Sequence, residues 1–133
     1  MDNRAIVTHA FAELAKGNTA PYVAAMADSF TWRPMGSGAW GKVFAGKDNV
    51  RRNMFARLHA QYAAQPRIEA DAIYADGDRV VVEARGSATT KTGKAYDNRY
   101  CFVIRMAGGK MVEVREYLDT ALAEAVLDGS VFL

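Results

Sequence analysis

The sequence has few of the residues that cross-link a fold or bind a metal. Of its 133 residues, one is cysteine, two are histidine and three are proline. A single cysteine cannot form a disulfide within the chain, and neither His9 nor His59 has a second ligand at metal-binding spacing. We therefore expect a fold held by its hydrophobic core, with no metal and no disulfide.

Excess charge and long apolar runs are also missing. Seventeen Lys and Arg against fifteen Asp and Glu leave a net charge of +2, which is below the usual basic footprint of a nucleic-acid binder. No apolar run reaches the roughly 18 residues that span a bilayer, and residues 1–4 lack the features of a signal peptide. The sequence predicts one cytoplasmic domain, residues 1–133, that binds neither nucleic acid nor membrane.

Hydrophobic spacing predicts four helices. The first covers residues 4–16 and ends at Gly17, and a short second helix follows a cap at Asn18. The third covers residues 48–64, with Pro66 as its stop. The last is capped by Asp119 or Thr120, and that capping role is the alternative to a catalytic role for Asp119.

Period-two alternation predicts the strands. A short strand covers residues 29–33, and four more, at 68–75, 79–90, 96–106 and 111–118, form an antiparallel meander joined by glycine-containing turns. Helices that precede a run of antiparallel strands indicate an α+β fold.

The turns also predict which side chains share a face. A register that places Val82 opposite Val103 turns Cys101, Val114, Arg99 and Glu116 toward the core, with Arg99 beside Glu116. A buried charge needs a partner, so these two residues form either a structural ion pair or a functional site.

The same register turns other side chains outward. Tyr100, Phe102 and Ile104 then form an apolar stripe on the outer face of the sheet. Such a stripe is larger than a monomer usually leaves in water, so the sequence predicts a homodimer through this face.

A glycine-rich loop lies between the first strand and the third helix. Residues 36–41, Gly-Ser-Gly-Ala-Trp-Gly, fit the Gly-x-Gly-x-x-Gly pattern of dinucleotide sites, but no helix opens from the loop and no βαβ unit follows. We interpret the loop as a cover over a pocket mouth, with Trp40 as its lid.

The order of elements resembles the nuclear transport factor 2-like superfamily, a cone-shaped, cystatin-like fold in which a curved sheet wraps around N-terminal helices and one long helix. The segments 46–50, 98–103 and 109–120 are similar to its SnoaL-like and ketosteroid isomerase-related branch. The resemblance implies a cofactor-independent protein that binds a small, mainly apolar organic molecule. It acts either as an isomerase, cyclase or hydratase by proton transfer, or as a noncatalytic binding or dimerisation module.

The resemblance also assigns candidate residues. Arg33 and Cys101 occupy positions where a steroid isomerase needs its base and its oxyanion acid, so we expect no steroid isomerisation. Asp119 matches the acid/base aspartate of SnoaL-type cyclases, whose helper histidine is here Val114. We therefore take Glu116, Asp119 and Arg99 as candidate catalytic residues. The candidate ligand-binding residues are Arg33, Trp32, Trp40, Tyr22, Phe44, Phe55, Cys101 and Val114.

Overall fold

Two helices open the chain, and local contacts fix the start and end of the first. In the computed structural model, which describes Met1–Leu133, α1 spans Asn3–Ala15 and α2 spans Ala20–Ala25. The Asp2 carboxylate accepts a hydrogen bond of 2.8 Å from the Ala5 amide and so caps α1. Gly17, with φ +82°, takes the left-handed conformation that turns the chain toward α2.

The third predicted helix is one helical segment over residues 47–59. It consists of α3 (Lys47–Asn49), a π-helical stretch (Val50–Phe55) and α4 (Ala56–His59). It ends at His59, before residue 64, because the chain turns there and Tyr62 forms a β-bridge with Thr90. No helix of the protein has the length and apolarity that crossing a bilayer requires.

One six-stranded sheet forms the other layer. Its strands are β1 (Met26–Pro34), β2 (Phe44–Ala45), β3 (Arg67–Asp76), β4 (Arg79–Ser87), β5 (Arg99–Ala107) and β6 (Lys110–Leu118), in the order β2-β1-β6-β5-β4-β3. The predicted meander β3 to β6 is present, and β1 joins it through a parallel pairing with β6 that the sequence did not indicate. Helix α5, Thr120–Val126, and a 3-10 turn, Gly129–Phe132, close the chain.

The core lies between the inner face of this sheet and the helices. Val7 and Phe11 of α1 are buried against β4 and β5 side chains such as Val82, Phe102 and Ile104. The prediction of an α+β fold is confirmed.

The predicted register of β5 is wrong by one residue, and the hairpin turn explains the error. Thr90 pairs with Lys94 around a three-residue turn that contains Gly93 at φ +85°. The odd turn length places Val82 opposite Phe102 instead of Val103. A shift of one residue moves every side chain of a strand to the other face.

The corrected register reverses two predictions. Tyr100, Phe102 and Ile104 point into the protein, so they cannot form an apolar stripe on the outer face, and Phe102 and Ile104 are at most 2% exposed. Arg99 and Cys101 point outward instead. On β6, a bulge near Met111 keeps Val114 and Glu116 on the inner face, as predicted.

Candidate functional site

A cavity of about 360 Å³ lies between the inner face of the sheet and the helices. This volume is in the range of sites for small organic molecules. Its walls are mainly apolar and aromatic, and they include five of the predicted ligand-binding residues, namely Tyr22, Trp32, Trp40, Phe44 and Phe55.

The only acidic side chain that lines the cavity is Glu116. It lies on the inner face of β6, directly opposite Phe102 of β5 and beside Pro34 of β1. Its one hydrogen bond comes from the indole N–H of Trp32, at 3.4 Å. Burial raises the pKa of this carboxyl to about 7, although the Trp32 contact acts in the opposite direction.

Four tyrosines share the cavity with Glu116: Tyr22, Tyr62, Tyr96 and Tyr100. Burial raises the pKa of each, and the nearby Glu116 charge adds to the rise. All four hydroxyls therefore stay protonated near neutral pH and can donate hydrogen bonds to a ligand or to water.

The buried amide of Asn98 holds Tyr96 in place. Asn98 Oδ1 accepts from the backbone amides of Arg99 and Asp119, at 2.7 and 3.1 Å. Its Nδ2 therefore faces the other way, donating to the Tyr96 hydroxyl at 2.9 Å and to the Asp119 carbonyl at 3.1 Å. This network joins the start of β5, the cavity wall and the start of α5.

Two arginines and a histidine lie at the rim of the cavity. Arg51 and Arg67 are exposed there, and Arg67 donates a hydrogen bond to the Ala15 carbonyl at the end of α1. His59 is stacked on Phe55, and burial lowers its pKa, which favours the neutral imidazole. The charges at the mouth are therefore positive, whereas the one charge inside is negative.

Arg99, the predicted partner of Glu116, does not reach the cavity. Its side chain is exposed on the outer face, where Arg85 is its cross-strand neighbour. The predicted ion pair was wrong because it depended on the incorrect register of β5. Glu116 therefore has no basic partner within ion-pair distance.

Arg33 and Cys101 also lie on the outer face. Arg33 donates to Glu113 at 2.9 Å, and Arg115 donates to the same carboxylate at 3.1 Å. Burial would raise the pKa of Glu113, but these two hydrogen bonds and charges outweigh it and lower the pKa. Cys101 lies opposite Glu83, and burial followed by that charge raises the pKa of its thiol, which disfavours the reactive thiolate.

Asp119 and Val114 are near the cavity without lining it. The Asp119 carboxylate accepts a hydrogen bond of 3.1 Å from the Leu122 amide and caps α5, the structural role weighed for it. Val114 is fully buried behind the cavity wall. No group of three or more His, Cys, Asp or Glu side chains is placed to hold a metal ion.

The sequence argument missed part of the wall. Tyr62, Tyr96, Tyr100 and Phe102 all line the cavity, and two of them had been assigned to the outer face. The signal that could have found them is the composition of β5: one parity carries Tyr, Phe, Ile and Met, and the other carries two arginines.

The sequence profile of the SnoaL-like domain matches residues 7–114. The chain belongs to the SnoaL-like domain family. No functionally curated protein has a sequence significantly similar to this SnoaL-like chain.

Solved structures agree with this family. A nuclear transport factor 2-like protein from Burkholderia thailandensis is 27% identical, with a TM-score of 0.81 over 95% of this chain and 97% of that one. A Xanthomonas campestris protein of unknown function with a cystatin-like fold is 21% identical, with a TM-score of 0.82 over 95% and 98%. A Catenulispora acidiphila protein with a ketosteroid isomerase-like fold, in complex with trimethylamine, is 20% identical, with a TM-score of 0.74 over 94% and 95%.

The arrangement in this SnoaL-like domain supports proton transfer and hydrogen bonding to a bound molecule. A carboxyl group with a pKa of about 7 is present in both protonation states at neutral pH, so it can accept or donate a proton. The surrounding rings offer apolar contacts, and the tyrosine hydroxyls offer hydrogen bonds to a bound molecule.

Proposed function

We propose that this SnoaL-like protein binds a small, mainly apolar organic molecule in the cavity and that Glu116 exchanges a proton with it. The observation that carries the proposal is one carboxyl with a pKa raised to about 7 on the wall of an aromatic cavity of about 360 Å³. A pKa near the working pH is what general acid/base catalysis requires. The trimethylamine complex of the Catenulispora acidiphila protein supports small organic molecules as ligands of this fold.

As an enzyme, the protein would be an isomerase, cyclase or hydratase that needs no cofactor. Glu116 is the acid/base in this proposal, and the tyrosine hydroxyls orient the substrate. Asp119 and Arg99 are no longer needed as catalytic residues, since the first caps α5 and the second faces solvent. The noncatalytic alternative keeps the cavity and its ligand but involves no turnover.

The test uses a variant that blocks the cavity and a matched control. Ala56 of α4 lines the cavity, whereas Ala60 follows the same helix and does not. Small apolar molecules that bind the wild type, detected by the NMR signal of the Trp32 indole N–H, should lose affinity at least about tenfold in Ala56→Phe. They should bind Ala60→Phe as they bind the wild type.

The catalytic part is tested separately. Glu116→Gln keeps the shape of the side chain and removes its titration, so it should retain uncharged ligands and abolish turnover of any ligand that the wild type converts. A ligand affinity that Ala56→Phe leaves unchanged would show that the cavity is not the binding site. Turnover that survives Glu116→Gln would show that Glu116 is not the acid/base.

We also propose a homodimer through the outer face of the sheet, with different residues from those first expected. One row across this face runs Tyr74, Val81, Val103, Arg115 and Arg33. The row thus changes from apolar at β3 to basic at β1.

Charge supports a second copy as the occupant. On the β3 and β4 side of the face, Glu69 and Asp71 are paired with Arg85, whereas Glu83 is in no ion pair. On the β1 and β6 side, Arg33 and Arg115 share the single carboxylate of Glu113, so a two-fold arrangement can set Glu83 of one copy against this basic side of the other. Sedimentation at micromolar concentration should give a dimer, and Val103→Asp should give a monomer with an intact fold. A wild type that sediments as a monomer would contradict the dimer.

A further inference from the structure

Glu116 is a half-buried carboxyl on the cavity wall, and its negative charge has no partner in the protein. Its one hydrogen bond comes from the neutral Trp32 indole, and it takes part in no ion pair. Glu113, three residues earlier on the same strand, is held by two arginines. An uncompensated buried charge is costly, so the Glu116 site is incomplete as an electrostatic arrangement.

Aromatic side chains form the cavity walls around Glu116. Trp32, its hydrogen-bond donor, packs edge-on against Phe55 and Phe102, with ring centroids 5.2 and 6.1 Å away. Tyr22, Tyr62, Tyr96 and Tyr100 belong to the same aromatic lining. Aromatic faces attract a cation through their quadrupole, and this attraction is stronger where water is excluded.

We propose that the ligand of this cavity is an organic cation: a compact apolar molecule with a protonated amine or quaternary ammonium group, whose positive charge lies against Glu116. The inference rests on the proposed function in using the same cavity, and it adds the chemical class of the ligand. The ligand supplies the counter-ion that the fold does not, while its apolar body fills the aromatic walls.

Two features of the site bear on this inference. The Glu116 carboxyl, with a pKa of about 7, is about half ionised at pH 7. A cation binds the ionised form, so the need to ionise the protonated half weakens its apparent affinity by only about twofold. Arg51 and Arg67 at the rim repel cations, but both are exposed, and salt screens exposed charges. The attraction at Glu116 acts inside the cavity, where salt screens charges less than at the exposed rim.

The experiment compares two probes of the same shape. Phenyltrimethylammonium and tert-butylbenzene differ in one central atom, a positively charged nitrogen or a neutral carbon, and benzoate supplies the opposite charge. Binding is followed by the Trp32 indole N–H signal, which is distinguished from that of Trp40 by Trp32→Phe. The variants are Glu116→Gln and, as a matched control on the same strand, Glu113→Gln.

The expected result is specific to charge. Phenyltrimethylammonium should bind the wild type at least about tenfold more tightly than tert-butylbenzene, and Glu116→Gln should remove that preference. Tert-butylbenzene should bind wild type and Glu116→Gln within about twofold of each other, and Glu113→Gln should behave as the wild type with all probes.

A pH series gives a second readout that needs no substitution. Phenyltrimethylammonium does not titrate, so its affinity should rise about tenfold from pH 6 to pH 8 as Glu116 ionises. The other groups that face Glu116 do not imitate this rise. Tyr22, Tyr62, Tyr96 and Tyr100 stay protonated over this range, and Arg51 and Arg67 keep their charge. Burial lowers the pKa of His59 and so favours its neutral form, and the same pH series on Glu116→Gln measures whatever His59 contributes.

The contrary outcomes separate this inference from the proposed function. Equal binding of the ammonium and of tert-butylbenzene, or tighter binding of benzoate, would overturn the cation inference and leave an apolar binding cavity. An ammonium affinity that does not respond to Glu116→Gln or to pH would do the same. If no probe moves the Trp32 signal, both the inference and the proposed binding function fail.

Discussion

Glu116→Gln should stabilise the protein, and it should do so only above a defined pH. In the folded protein, burial raises the pKa of the Glu116 carboxyl from 4.5 to about 7. Between these two values the folded state binds more protons than the unfolded state, so stability falls as the pH rises through this window. The stability that the protonated Glu116 carboxyl contributes is fully present below pH 4.5 and is lost above pH 7.

The size of the effect follows from the shift in pKa. One pKa unit corresponds to about 1.4 kcal/mol, so the shift corresponds to about 3 kcal/mol at most. Glutamine has nearly the same shape, can accept the Trp32 hydrogen bond and does not titrate. The stability of Glu116→Gln relative to the wild type should therefore increase by about 3 kcal/mol between pH 4.5 and pH 8.

The assay is urea unfolding of both proteins at several pH values over this range. Glu113→Gln is the matched control with the opposite sign, because its arginine partners lower the pKa of Glu113 and stabilise the fold when it is ionised. Glu113→Gln should be less stable than the wild type at pH 8. A difference between Glu116→Gln and the wild type that stays constant with pH would refute the reasoning.

Four further results are expected. Asp119→Ala should cost about 1 kcal/mol in urea unfolding, because α5 loses its cap, and should leave ligand affinity unchanged. Asn98→Ala should cost about 3 kcal/mol or more, because the buried Asn98 side chain makes four hydrogen bonds, all of which disappear. Gly86→Ala should cost about 1–3 kcal/mol and weaken binding of cavity ligands, since the new Cβ would lie 2.7 Å from a Tyr100 ring carbon. Steroid enone turnover should be absent in enzymatic assays, because neither Arg33 nor Cys101 supplies a carboxyl to the cavity and Glu116 therefore lacks the second acid that this isomerisation needs.

The elements of the fold could be predicted because their signals are local. The period-3.6 stripe of α1, the cap at Asp119 and the glycine turns of the meander each depend on a few neighbouring residues. The parallel pairing of β1 with β6 joins segments about 80 residues apart, and no local signal specifies it. For the same reason the two-residue strand β2 was not predicted.

The site was predicted in part, and the failures have one cause. Glu116 and the rings of Trp32 and Phe55 depend on β1, β6 and the long helix, whose orientations follow from their own hydrophobic patterns. Arg99 and Cys101 depend on β5, whose register is set by turn length and by a bulge. One extra residue in the turn at Gly93 exchanges the two faces of β5, because both parities of that strand contain apolar residues.

The central claim is that Glu116 is a lone carboxyl buried in the cavity, and its own titration tests this most directly. The measurement is an NMR titration of the Glu116 side-chain carboxyl carbon in the ligand-free protein, with Glu116→Gln used to assign the signal. The account predicts a midpoint at about pH 7, and the Trp32 indole N–H signal should move with the same midpoint. A midpoint near the ordinary value of 4.5 would show that the carboxyl is hydrated or paired, and would contradict the account.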